Sequence, residues 1–265
     1  MSGKEWREVG RQSLYFLLAM AGMVLLLGGV DLLVGLLGGA PARPLEGEKL
    51  MIILGLWLLV FSMFMGLAPF AMDSKQKGME YLLTLPLSRR RLLGTKFLPR
   101  LATVVLGYLA YSYIYAQLGQ AAFGGGFPFF SLTYFSLFLI SFSLAVVDEN
   151  FIVQSICAGL AMCGYLAACL FIVGLGFSWK FGMPLSWTGT GAWNNLALDS
   201  STLAVSVSVF LTMALPFVLS LFLAFDRFDL KPARAFNRRQ LRIFVPLLLL
   251  AFGLSLGITV IVQSR

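Results

Sequence analysis

Histidine is absent from all 265 residues, and only 12% of the chain is Asp, Glu, Lys or Arg. Without imidazole there is no Ser-His-Asp triad, no H-E-x-x-H metal site and no histidine proton relay. G-x-x-x-x-G-K-[ST] is missing too, so the chain has no P-loop of its own in which to cradle nucleotide phosphates. Of twelve acidic residues, Asp31 alone falls inside an apolar run, towards its outer end. It fits either an intramembrane functional charge or a carboxylate that reaches the interface. A proton- or sodium-driven carrier therefore finds little support, and energy for transport must come from elsewhere. The three cysteines, Cys157, Cys163 and Cys169, step by six residues through one apolar run. That step turns a helix by about 240°, so they do not share a face. They read as small apolar residues rather than metal or redox groups.

What the chain has instead is apolar length. It is 59% hydrophobic, with a mean hydropathy of +0.87, whereas soluble domains carry about a quarter charged residues. A hydrocarbon core of roughly 30 Å needs about 20 apolar residues of helix. Continuous apolar runs exclude a β-barrel, whose strands alternate. The fold class expected is all-α, a polytopic membrane helix bundle. Candidate spans are 14–37, 50–72, 98–122, 129–147, 151–177, 202–225 and 243–262, seven in all. The first is too long for a signal-peptide core and reads as a retained span.

Sixteen of the twenty Lys and Arg fall in three sections, residues 1–12, 73–100 and 226–242. An N-terminus in the cytoplasm puts all three inside and meets the positive-inside rule at each reversal. The expected location is the bacterial cytoplasmic (inner) membrane. Outside would lie 38–49, the glycine-rich turn at 124–128 and the section 178–201, which holds Trp179, Trp187 and Trp193. Indoles favour the headgroup boundary, so that last section reads as an aromatic belt, with a substrate gate as the other reading.

One inner section is patterned beyond the needs of a loop: DSKQKGMEYLLTLPLSRRRLLGTKFLPR, residues 73–100, with seven basic residues. Asp73 or Ser74 is a credible N-cap for a helix running to about Leu85. Met79, Leu82 and Leu83 share one face, while Lys75, Lys77 and Glu80 lie mostly off it, as in an amphipathic helix at a membrane surface. Pro86 ends that helix. Ser88 caps the next one, whose Arg89, Arg90 and Arg91, followed by Lys96, would meet anionic lipid headgroups. Two roles fit, a lipid anchor and a rigid docking element that receives force from a cytoplasmic partner.

This segment resembles the cytoplasmic coupling helix of ABC-2 type permeases, the membrane subunits of ATP-driven exporters. Met79, Glu80, Leu82 and Leu83 match apolar-Glu-x-Leu-Leu. Pro86, Leu87 and Ser88 match Pro-apolar-Ser, and Lys96 matches a later lysine. The chain departs from the pattern at Lys77-Gly78, where Gly-Thr is usual, and at Ser74, where a basic residue is usual. The resemblance implies a non-catalytic transport subunit whose ATPase partner, an ATP-binding-cassette subunit, carries the ATP and Mg. It also implies a second permease copy or paralogue. The helix Ser74–Leu85 would slot into a groove on the ATPase, with Met79, Leu82 and Leu83 as apolar contacts. Glu80, Lys75 and Lys77 would set the polar register.

The organisation expected is a six-span ABC-2 type domain over 1–225, with its coupling segment at 73–97. A basic linker and a seventh span would follow over 226–265. That last part reads as a remnant of, or docking site for, an outward-facing auxiliary subunit. Nucleic acid is not expected as a partner. The rival classes are a scaffold or channel subunit and a membrane-embedded lipid-modifying enzyme. The enzyme would need clustered acids or histidines, and only Asp73/Glu80 and Asp148/Glu149 come close.

Overall fold

A computed structural model describes residues 2–37, 47–75, 89–118, 127–145, 151–181, 200–225 and 233–263. Among these residues there are seven helices and no strand. They are α1 (Ser2–Leu37), α2 (Gly47–Lys75), α3 (Arg89–Leu118), α4 (Phe127–Leu144), α5 (Phe151–Phe181), α6 (Ser200–Phe225) and α7 (Ala233–Gln263). Helix is what lipid demands, because each helix satisfies its own backbone where no water can. Five helices, α2, α3, α5, α6 and α7, are long and apolar enough to cross a membrane, and α4 carries a shorter apolar stretch, Phe130–Leu144.

The helices run further than the apolar runs. The basic residues 4–11 belong to α1 itself, and the third helix begins at Arg89, before its apolar run. Prolines do not break them: Pro69, Pro99, Pro216 and Pro246 all lie inside helices. Membrane helices tolerate this because neighbouring groups satisfy the freed carbonyls.

The chain forms two compact units, residues 1–61 with 98–124, and residues 62–97 with 125–265. In the first, the Phe16 ring sits 4.9 Å from Trp57 and 4.8 Å from Phe61, centroid to centroid. The Trp57 indole N–H donates to the Phe16 carbonyl at 3.4 Å. Tyr111 on α3 donates its hydroxyl to the Met51 carbonyl on α2 at 3.1 Å. The start of α2 thus meets the later part of α3, so these two helices run antiparallel.

In the second unit α6 packs on α4, α5 and α7, and α7 also touches α5. Aromatic rings fill the core: Phe97 lies against Phe138, Phe142 and Phe222, and Phe217 against Phe244. Two helices approach more closely still at Gly66. A Cβ there would stand 2.6 Å from the Ser141 Cβ and 2.8 Å from the Phe138 carbonyl oxygen. Only glycine admits that spacing of α2 and α4. Two buried hydroxyls bond to backbone carbonyls within the unit. Ser62 donates to the Tyr134 carbonyl at 2.7 Å, and Tyr165 to the Phe210 carbonyl at 2.7 Å. Since Tyr165 has one hydroxyl proton, the 2.7 Å contact with Ser136 has Ser136 as donor.

The cysteines point different ways along α5, Cys169 buried, Cys157 half-buried and Cys163 exposed, as their spacing predicts. Leu98, Leu106 and Leu109 on α3 and Leu241, Leu249 and Leu254 on α7 are exposed. On a membrane helix that face meets lipid or a partner helix.

Candidate coupling site

The helix ends that bracket the patterned segment are joined by a side chain. The Lys96 Nζ donates to the Pro69 carbonyl oxygen at 3.0 Å, and Lys96 is buried, 2% exposed. Leu92 and Leu93 precede it on the same inward stripe of α3, and both are buried. A buried ammonium is tolerated only with a polar partner. Gly66 holds the same part of α2 against α4, and Phe97, next to Lys96, enters the aromatic core. The segment thus emerges from two helix ends fastened to each other and packed on the bundle behind them.

One turn further along α3, within the first unit, lies a second buried cation. Arg100 is fully buried. Its Nη1 stands 3.1 Å from Glu5 Oε2 and its Nη2 3.8 Å from Glu8 Oε1, both on α1. Gln12 donates to the same Glu8 oxygen at 3.3 Å. The guanidinium fork suits two acceptors at once, as a lysine ammonium does not. This pairing fastens the first turns of α1 to α3 at Arg100, inside the first unit.

The structure departs from the sequence reading at two points. Asp73 and Ser74 are not N-caps: both lie inside α2, which runs on to Lys75. An N-cap has non-helical backbone, and no glycine or proline between Pro69 and Lys75 breaks the span helix. Lys96 is not placed for headgroup contact, because its ammonium is turned inward to Pro69. Arg91 is exposed, as a headgroup contact needs. Arg89 and Arg90 open α3, directly after Ser88, the expected capping position; their side chains lie outside the described residues. Ser74 and Lys75 end α2, with side chains also outside that set. Lys77, Gly78, Met79, Glu80, Leu82, Leu83, Pro86 and Ser88, and with them the amphipathic helix, lie outside the described residues.

The sequence reading passed over Glu5, Glu8, Gln154 and Gln240. Gln154 and Gln240 are polar residues on otherwise apolar stripes, and that interruption was the available signal; Glu5 and Glu8 sit in the charged section 2–12, where nothing local singles them out. Lys96 carried the same signal, four residues after Leu92 and four before Arg100.

Residues 43–166 match the family model described as ABC-2 family transporter protein. That interval contains all of α2, α3 and α4, the Lys96–Pro69 bond and the first half of α5. No curated protein and no solved structure matches the chain significantly. Taken with the five apolar helices, the match describes a multi-pass membrane protein whose residues 43–166 are similar to ABC-2 family transporters.

Proposed function

We propose that the chain is the membrane-spanning half of an ATP-driven exporter, and that residues 73–97 are its coupling segment. The observation that carries this reading is the family match over 43–166, which encloses the segment and both helix ends that flank it. Permeases of this family work with an ATP-binding-cassette ATPase, which would supply ATP and Mg on its own chain. Met79, Leu82 and Leu83 supply the apolar contacts to that partner, and Glu80 with Lys75 and Lys77 the polar register. A push on this segment enters α2 and α3 together, because Lys96 ties the two at Pro69.

The domain plan that follows is a permease domain over 1–225 and a basic linker with a seventh span over 226–265. Two permease copies, identical or paralogous, share the substrate path, and the N-terminus lies in the cytoplasm. Arg89, Arg90 and Arg91 meet anionic lipid at the inner surface. The last span is where an outward-facing auxiliary subunit docks.

The decisive experiment purifies the chain with its native ATPase and reconstitutes the complex in proteoliposomes. Glu80→Lys with Leu83→Asp should abolish co-purification of the ATPase and ATP-dependent transport, while leaving insertion of the chain unchanged. Full association and transport in that double variant would refute docking at this segment. Export, rather than import, requires that substrate leave the face of the vesicle on which ATP is hydrolysed.

A further inference from the structure

α4 is the short helix of its unit, 18 residues from Phe127 to Leu144. At 1.5 Å per residue it is about 27 Å long, less than a hydrocarbon core of roughly 30 Å. Its final carbonyls have no partners in their own helix. They are also shielded, since Ser143 and Ala145 are each 1% exposed. Buried carbonyls in this position need donors from elsewhere.

Two glutamines on two other helices supply them. Gln154 at the start of α5 donates its Nε2 to the Ala145 carbonyl at 2.8 Å. Gln240, near the start of α7, donates its Nε2 to the Ser143 carbonyl at 3.0 Å. Both side chains are buried, Gln154 at 1% and Gln240 at 8% exposure. Gln240 lies on the inward face of α7 with Phe244, Ala251 and Ser255. Arg238, Leu241 and Arg242 turn outward around it. A buried glutamine in an apolar helix is costly without such a partner, so its place on the docked face is specific.

We infer that Gln154 and Gln240 are positioning residues forming a two-sided clamp on the C-terminal end of α4. Through Gln240, α7 becomes a working part of the permease bundle. α7 lies outside the matched interval 43–166, whereas the carbonyls it secures lie inside it. The last helix therefore completes the end of a short family helix that cannot reach water to satisfy itself. The clamp also sets where that end opens: release of either glutamine exposes buried carbonyls and frees the last turn of α4. The inference does not depend on the ATPase reading, and its test uses no transport assay.

The test is hydrogen exchange followed by mass spectrometry on the full chain in lipid nanodiscs. Gln240→Met keeps the length of the side chain and removes the donor; Gln240→Lys keeps a donor with the reach to find the same carbonyl. Gln240→Met should speed exchange in the last turn of α4 by roughly tenfold, the scale set by one lost hydrogen bond to a buried group. Gln240→Lys should stay near the wild type, and Gln154→Met should loosen the same turn. Equal exchange in wild type and both methionine variants would overturn the clamp, as would equal loosening by methionine and lysine at position 240. If Gln240→Met does not accumulate as folded protein, the wild type still decides. The clamp requires the end of α4 to resist exchange as strongly as its middle, and an end that exchanges freely there would overturn it.

Discussion

Lys96 and Pro69 meet at 3.0 Å, a buried ammonium on a backbone carbonyl, across the two helices that flank the segment 76–88. This bond makes the bases of α2 and α3 a single mechanical unit. Lys96→Met keeps the apolar stem and removes the donor, so a buried carbonyl loses one of its partners. The expected cost is about 1–3 kcal/mol of stability. Lys96→Arg, which keeps the charge and the donors, should lose less. Thermal unfolding of the two variants in the same nanodiscs checks the order. In the assembled complex, Lys96→Met should further reduce transport per ATP hydrolysed.

Composition and run length made the helical class and the element order legible, because a lipid-spanning backbone has few alternatives. Helix ends were less legible. α3 starts at Arg89, directly after the cap expected at Ser88, but α2 runs on to Lys75, through the Asp73 and Ser74 expected to cap a separate helix. Lys96 shows the limit for sites. Charge alone suggested a headgroup contact, but its register with Leu92 and Leu93 turns it inward. Gln154 and Gln240 were not legible as a pair, because nothing local links residues so far apart. Only the convergence of α5 and α7 on the end of α4 does so.

Gly66 sets the distance between α2 and α4. Any Cβ at this position falls under 3.0 Å from the Ser141 Cβ, the Phe138 carbonyl oxygen and the Phe142 nitrogen. Two of those atoms are backbone and cannot swing aside. Gly66→Ala should therefore destabilise the second unit by about 1–3 kcal/mol, the usual cost of overpacking, and Gly66→Val by more. Gly253→Ala on α7, where a Cβ meets nothing within 4 Å, is the matched control and should be near neutral. Unfolding midpoints of the three variants give the comparison.

Tyr165 links three helices through one oxygen, accepting from Ser136 on α4 and donating to the Phe210 carbonyl on α6. Its ring also meets the edges of Phe210 and Phe217. Tyr165→Phe keeps the ring packing and strands the Ser136 hydroxyl in an apolar surround. A loss of about 1–3 kcal/mol is expected. Adding Ser136→Ala should return part of it, since the orphaned hydroxyl is then gone. A double-mutant cycle on these two positions measures the coupling.

Arg100 is the most exacting group in the first unit. It is fully buried, and its side chain reaches Glu5 at 3.1 Å and Glu8 at 3.8 Å, whose side chains are 14% and 25% exposed. Removing one member of a buried ion pair leaves uncompensated charge and costs about 3–5 kcal/mol. Arg100→Met should act on that scale, because two carboxylates then lose the guanidinium. Adding Glu5→Met and Glu8→Met should recover much of the loss, as apolar replacement of a whole buried ion cluster is often neutral or better. Arg100→Lys should fall between, since one ammonium cannot present the two arms that the guanidinium directs at separate acceptors. The readout is again the unfolding midpoint, together with protease access to the first turns of α1. If the triple substitution is no more stable than Arg100→Met, the cluster is not what binds α1 to α3.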